Sequence, residues 1–272
     1  MAEIHIDESY SPTSSHYDSS IQDKMKPYLQ NYPFELDHFQ KYSLQSILQQ
    51  KNVLVCVPTG SGKTLVGQLG IEKTLQESRK IIYTSPIKTL SNQKFLEFRQ
   101  RYPDTTVGIV TGDIKLNPDA QIIIMTTEIL RNLLNKKETI VEATDRLHDM
   151  IDVSQDVGLI IFDEVHYIND KDRGTVWEEC FLLMPPSIQL VLLSATIQNS
   201  VEFANWIQDT STQPTVLLQY SKRVVPLQHY IWYSYPKVPV SLKKHPLLIK
   251  QRDNYHEQLL LIHDEHKQFF AK

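Results

Sequence analysis

The sequence predicts an α/β fold, a parallel, doubly wound sheet with helices on both faces in three α/β/α layers. Two observations carry that expectation and a third marks its working edge. Short apolar runs recur without polar alternation at Val53–Val57, Lys80–Thr84, Val107–Val110, Gln121–Met125, Val157–Phe162 and Gln189–Leu193, as strands covered on both faces do. Around them lie segments of helical spacing, Asp37–Gln49, Lys63–Gln76, Ile87–Arg101, Glu128–Asn135, Thr175–Leu183 and Ser200–Gln208, and alternating strands and helices build parallel sheets. The glycine-rich stretch Pro58-Thr59-Gly60-Ser61-Gly62-Lys63-Thr64 joins the first strand to its helix, where backbone N–H groups at a helix start can face an anion.

Composition narrows the classes. A chain of 272 residues holds one large domain or two small ones. Its 41% hydrophobic and 22% charged residues are ordinary for a globular protein, and a net charge of −4 gives no chain-wide basic footprint. Any nucleic-acid contact must then be local. Cys56 and Cys180 both sit in apolar runs, which predicts buried thiols of an intracellular protein rather than a disulfide framework. Met1–Ser20 is polar and acidic, without the pattern of a signal peptide. No apolar run approaches the ~18 residues of a membrane span, so no membrane partner is expected.

The chain divides by composition. Residues 1–30, rich in Ser, Asp and Tyr, are expected to form a flexible tail. Residues 31–218 carry the strand–helix rhythm, with a polar insertion at 136–156. Residues 219–272, with Pro226, Pro236, Pro239 and Pro246 close together, read as the start of a linker, and Leu247–Phe270 has helical character. His256, His263 and His266 lack a second spaced pair of ligands and read as a solvated face.

A loop that wraps a triphosphate needs inward-pointing N–H groups and glycines that let the backbone approach. In Gly60–Thr64, Lys63 would reach the β- and γ-phosphates and Thr64 would offer a hydroxyl to Mg²⁺. One departure stands at Val57, where the general pattern has glycine. Asp163-Glu164-Val165-His166 ends the strand Val157–Phe162, so its carboxylates face the crevice at the sheet edge. Asp163 would hold Mg²⁺, and Glu164 would orient and deprotonate the attacking water. Ser194-Ala195-Thr196 ends another strand at the same edge, and its hydroxyls could relay the state of the γ-phosphate to His166 or Glu164.

In this order and spacing the three motifs resemble the first half of a superfamily-two helicase. Phe162–Asp170, continuing through Asp172-Arg173-Gly174 to Trp177-Glu178-Glu179, and later Glu202–Ile207, resemble the superkiller (Ski) type of DExH-box RNA helicase and its relatives that serve the nuclear exosome. The resemblance runs from about Phe34 to Tyr230. It implies a RecA-like domain using ATP and Mg²⁺, with Lys63, Asp163, Glu164 and His166 catalytic and Val57–Thr64 around the phosphates. It also implies unwinding of RNA in the 3′-to-5′ direction from a single-stranded 3′ overhang. Phe34-Glu35-Leu36-Asp37-His38-Phe39-Gln40 resembles the adenine-recognition motif, Gln40 pairing with the base through both amide groups and Phe34 stacking on it.

Ser85, Pro86, Lys88, Asn92 and Gln93, then Thr111, Gly112 and Asp113, then Thr127, Glu128 and Arg131 resemble the family segments that grip RNA. Hydroxyls, helix starts and isolated cations suit backbone contacts that carry no sequence information. Asn169–Gly174 and Trp177 favour RNA over DNA by resemblance alone; a DNA-directed motor and a non-catalytic nucleotide-binding module remain alternatives. Asn169-Asp170 and Phe203–Asn205 lean to the cytoplasmic branch. The family's second RecA-like domain supplies γ-phosphate arginines in a Gln-x-x-Gly-Arg-x-Gly-Arg-like motif, which Tyr220–Lys272 lacks. The chain thus reads as about the first third of a helicase, slow in hydrolysis alone and needing a second domain or RNA-decay subunits.

Overall fold

The computed structural model describes residues 1–6, 19–135, 151–170, 173–195, 197–221, 229–235, 249–252 and 255–263. Two units are distinguished, 1–222 and 223–272.

The first unit runs β1 (Glu3–Ile6), α1 (Ser19–Gln30), α2 (His38–Leu48), β2 (Asn52–Cys56), α3 (Lys63–Gln76), β3 (Lys80–Ser85), α4 (Lys88–Arg101), β4 (Val107–Val110), β5 (Lys115–Leu116), β6 (Ile122–Thr126), α5 (Thr127–Leu134), α6 (Val153–Asp156), β7 (Val157–Phe162), a 3-10 turn (Val165–Asn169), α7 (Gly174–Leu183), β8 (Gln189–Ser194), α8 (Ser200–Thr210) and β9 (Thr215–Gln219). Its nine strands form one sheet in the order β1-β9-β2-β8-β7-β3-β6-β4-β5. All neighbours are parallel except the β4–β5 pair.

Side chains alternate across a strand, and the core divides accordingly. Leu54, Ile82, Ile160 and Leu192 pack on one face with Leu130 of α5, Trp177 and Phe181 of α7, and Ile207 of α8. Val53, Val55, Ile81, Tyr83, Leu159, Ile161 and Val191 pack on the other with Phe39 of α2, Val66 of α3 and Phe98 of α4. That double coverage explains why the strands read as unbroken apolar runs, and it builds the expected three layers. Cys56 and Cys180 are both buried free thiols.

Residues 1–30, expected to be flexible, are not a free tail where they are described. β1 pairs in parallel with β9, Glu3 opposite Val216 and Ile6 opposite Gln219. Glu3 accepts bonds from the Tyr42 hydroxyl (2.6 Å) and Lys51 (2.8 Å), and Ala2 N–H donates to Asn205 (2.9 Å). α1 buries Ile21, Met25 and Tyr28 against Leu44, Leu65 and Leu69. The i, i+4, i+7 stripe was masked by the polar composition around it. Residues 7–18 lie outside the described ones.

The expected insertion is described only from Ile151, which is buried with Val153 in the core; residues 136–150 lie outside. In the second unit β10 (His229–Tyr235), β11 (Ile249–Arg252) and β12 (Tyr255–His263) form an antiparallel sheet in the order β10-β12-β11. The helical character read into Leu247–Phe270 is therefore corrected to strands where the chain is described. The apolar run Leu259–Ile262 has no period of its own and is read as strand or helix alike from sequence.

Candidate active site

A parallel sheet gathers its C-terminal strand ends along one edge. Cys56 stands opposite Ser194, Phe162 opposite Thr84, and Ser85 opposite Thr126. The segments after β2, β8, β7, β3 and β6 therefore emerge side by side, although they come from the whole length of the chain.

The loop after β2 has the geometry of an anion cradle. Val57 is fully buried and its N–H donates to the Ser194 carbonyl (3.2 Å), so the valine belongs to the sheet. The loop turns where Ser61 N–H bonds the Pro58 carbonyl (3.2 Å). Gly60 and Gly62 have φ of +87° and +82°, which other residues rarely adopt. A Cβ on Gly60 would meet open space, while one on Gly62 would lie 2.7 Å from Gln40 Nε2. Gly62 starts α3 without a side-chain cap, leaving the helix's first N–H groups unclaimed by one. Ser61 Oγ is buried without a partner among the described residues. Thr59, Gly60 and Gly62 are exposed and Thr64 is half-buried.

Lys63, 7% exposed, reaches Glu164 at 2.7 Å across 101 residues of sequence. A buried cation, open space beside Gly60 and an orphaned hydroxyl fit a polyphosphate.

Asp163 is 5% exposed, and both its oxygens are engaged. Oδ2 accepts the Tyr83 hydroxyl at 2.5 Å and Oδ1 accepts Glu164 N–H at 3.0 Å. Burial raises its pKa, the Tyr83 bond opposes that rise, and the Glu164 charge adds to it. Glu164 holds a left-handed backbone, φ 54°, a conformation that costs energy for a residue with a side chain. His166 Nδ1 lies 3.3 Å from Glu164 Oε2 without hydrogen-bond geometry. Burial lowers the imidazole's pKa, partly offset by Glu164, which favours neutral His166 at pH 7.

Of the expected relay Ser194-Ala195-Thr196, Ser194 Oγ is fully buried without a partner among the described residues, Ala195 is half-buried, and Thr196 lies outside the described residues. Gln40 is committed locally. Its Oε1 accepts Asp37 N–H (2.9 Å) in a capping box that starts α2, and its Nε2 donates to the Gly62 carbonyl (3.2 Å). An amide oxygen has two lone pairs and an amide nitrogen two N–H groups, so capacity for a base remains. Phe34 is 56% exposed, its ring 5.8 Å from that of Tyr32.

Farther along the edge, a cavity of about 530 Å³ is lined by Pro86, Lys88, Gly112, Glu128 and Arg173, among others. Lys88 forms an ion pair with Asp113. Not every expected contact residue belongs there. Thr127 is buried, bonding Thr84 Oγ1 (3.3 Å) and the Ser85 carbonyl (3.4 Å), and Ser85 bonds Ser91 (2.8 Å). Those hydroxyls tie the strand ends together. Thr111 caps a turn by accepting Ile114 N–H (3.2 Å). Asn92, Gln93, Gly112 and Asp113 are exposed. Arg131 turns to Glu179 (3.4 Å) and Asn132 (2.8 Å).

Trp177, read as favouring RNA, is 1% exposed and packs on Phe162, a core position. Two residues were missed. Arg173 lines the cavity and donates to the Pro86 carbonyl (2.9 Å). Tyr83 sat unremarked in a strand, because nothing in an apolar run marks one hydroxyl as facing a carboxylate.

Fold and site together define a P-loop nucleotide-binding domain of RecA-like architecture, with a carboxylate pair two strands from the loop. More narrowly, the chain belongs to the DEAD/DEAH box helicase family, whose model matches residues 37–204. It is 44% identical to the antiviral helicase SKI2 of Saccharomyces cerevisiae over 210 residues, 77% of this chain and 15% of that one. It is 40% identical to the ATP-dependent RNA helicase mtr4 of Schizosaccharomyces pombe over 232 residues, 85% of this chain and 19% of that one. The exosome RNA helicase MTR4 of Mus musculus is 42% identical over 74% of this chain and 18% of its own length. The chain thus spans less than a fifth of each of these relatives.

A crystal structure of the DUF1998 helicase MrfA bound to DNA and AMPPNP superposes with a TM-score of 0.54 at 19% identity, over 77% of this chain and 30% of that one. At that identity the likeness speaks for the fold alone.

Proposed function

We propose that this domain binds and hydrolyses ATP with Mg²⁺ to drive movement along RNA. The observation that carries the proposal is the Lys63–Glu164 contact, 2.7 Å long, which joins the phosphate loop to the carboxylate pair at one sheet edge. The family match and the printed names of the relatives, RNA helicases among them, support RNA as the strand.

In this reading the N–H groups of Gly60–Thr64 and Lys63 take the phosphates, while Phe34 and Gln40 take the base. Thr64 and Asp163 hold Mg²⁺, which neutralises phosphate charge when bound. Glu164 accepts a proton from the attacking water at Oε2 once Lys63 has moved to the phosphates. Lys88, Gly112, Glu128 and Arg173 line the path of a single strand beside the nucleotide site.

Tyr220–Lys272 carries no Gln-x-x-Gly-Arg-x-Gly-Arg-like motif, and a γ-phosphate arginine contributes on the order of 10³–10⁵ in rate. Turnover by this chain alone is therefore slow, and an arginine from a second RecA-like domain or another subunit is needed for unwinding. The test is titration with a fluorescent ATP analogue, with and without Mg²⁺, followed by hydrolysis assays with and without oligo(U). Mg²⁺-dependent binding that Lys63→Ala abolishes supports the reading. Binding indifferent to that substitution sinks it.

A further inference from the structure

The cavity formed by residues of α4, α5 and the start of α7 contains a charge that phosphate gripping does not use. Of its charged lining residues, Lys88 is paired with Asp113 and Arg173 donates to the neutral Pro86 carbonyl. A guanidinium carries five N–H donors, so Arg173, whose side chain pairs with no carboxylate among the described residues, keeps donors for an anion. Glu128 is different. It is half-buried in the first turn of α5 and lines the same cavity, with no hydrogen bond or ion pair among the described residues. The cation one turn along its own helix, Arg131, is taken by Glu179 and Asn132.

A lone carboxylate is a poor neighbour for a polyanion. It only accepts hydrogen bonds, phosphate oxygens only accept, and the two charges repel. A nucleic-acid backbone offers one donor that a carboxylate can use, the ribose 2′-hydroxyl, which DNA lacks. A carboxylate in a helix's first turn is also favoured by the helix dipole. That role, however, would be indifferent to the sugar of a bound strand.

We propose that Glu128 accepts a hydrogen bond from a ribose 2′-hydroxyl and so makes this groove prefer RNA to DNA, while Lys88 and Arg173 hold the flanking phosphates. The inference rests on reading the cavity as a nucleic-acid path. It adds the feature of the strand that is recognised.

Oligo(U) and oligo(dU) differ only in the 2′-hydroxyl, and 2′-O-methyl oligo(U) removes the donor while keeping the oxygen. Fluorescence anisotropy with the three strands measures the sugar preference directly. The unaltered chain is expected to bind oligo(U) about tenfold more tightly than the other two, the low end for a hydrogen bond to a charged group. Glu128→Ala brings that ratio close to one while leaving oligo(dU) binding equal or improved, since a charge facing the phosphates is gone. Glu128→Gln keeps an acceptor oxygen and gives an intermediate ratio. A full ratio in Glu128→Ala, or no preference in the unaltered chain, overturns the proposal. A lowered melting temperature with the ratio intact identifies a helix-start role and also overturns it. Binding of no strand at all refutes the nucleic-acid path itself, and this inference with it.

Discussion

Replacing Glu164 by Gln is expected to tighten nucleotide binding while stopping hydrolysis. Lys63 Nζ and Glu164 Oε2 are 2.7 Å apart, with side chains 9% and 25% exposed, so the lysine that must reach the phosphates is already held by a carboxylate. The gross attraction is about 6 kcal/mol at an effective dielectric constant of about 20, most of it cancelled by desolvation of the two ions. The net difference between a charge-assisted bond and the neutral-acceptor bond that Gln offers is about 1 kcal/mol, or about fivefold in affinity. Removing a negative charge beside the phosphates acts in the same direction. Titration with a non-hydrolysable ATP analogue at pH 7.5 should therefore show Glu164→Gln binding about fivefold more tightly. Hydrolysis should fall by at least about 10², the usual share of a general base. Equal or weaker binding by the variant would falsify the idea that Glu164 competes with nucleotide for Lys63.

Tyr83→Phe keeps the ring that meets Phe98 edge-on at 5.1 Å but removes the donor to buried Asp163. It should cost about 2 kcal/mol in urea denaturation at pH 7.5, and an unchanged midpoint would contradict that bond. Gly174→Ala would place a Cβ 2.3 Å from the Ile168 carbonyl oxygen, a backbone atom of the 3-10 turn that follows the carboxylates. A loss of about 1–3 kcal/mol together with weakened hydrolysis is expected, and full activity would show that the turn is free to shift. Partial burial raises the pKa of Glu3, but the bonds from Lys51, Tyr42 and His5 outweigh it and hold the carboxyl at about 2, below its ordinary 4.5. The folded state then binds fewer protons, so this stabilisation is present above pH 4.5 and is lost as the pH falls towards 2. Glu3 is 41% exposed, which screens the contribution to about 1 kcal/mol. Glu3→Gln should show that deficit at pH 7 and a shrinking one in acid; a deficit independent of pH would point to packing instead.

Six inner strands were legible because coverage on both faces leaves no polar residue to interrupt them, as in Val157–Phe162 and Val107–Val110; β9 (Thr215–Gln219), inner between β1 and β2, was not read. The edges were not. β1 is four residues long and β5 two, and neither is an unbroken apolar run such as Val107–Val110. β1 is fixed by partners remote in sequence, Val216–Gln219 along its length and Lys51 and Tyr42 at Glu3. The helix α1 fails the eye for another reason. Its buried stripe of Ile21, Met25 and Tyr28 is interrupted by Asp23, Lys24 and Lys26, which composition counts equally although they occupy the outer face.

Residues tied to one local geometry were legible in the site, whereas residues acting through a neighbouring strand were not. Gly60, Gly62 and Lys63 announce themselves because their spacing has one use, and Asp163–Glu164 because they follow a buried strand. Tyr83, Arg173 and the double engagement of Gln40 depend on which strands lie side by side: β3 beside β7 sets Tyr83 against Asp163. The adjacency of β3 and β6 likewise sets the Thr127 hydroxyl against the Ser85 carbonyl, while the Ser85 hydroxyl bonds Ser91. Buried polar groups are usually paired, and Thr84 and Thr127 follow that rule, whereas Ser194 Oγ at the end of β8 has no partner among the described residues. The groove is lined by Lys88, Glu128 and Arg173, all outside the strands, together with Thr126 at the end of β6 and others. In the reading proposed above, Lys88 and Arg173 take the phosphates, and Glu128, which only accepts hydrogen bonds, takes the 2′-hydroxyl proton that DNA lacks.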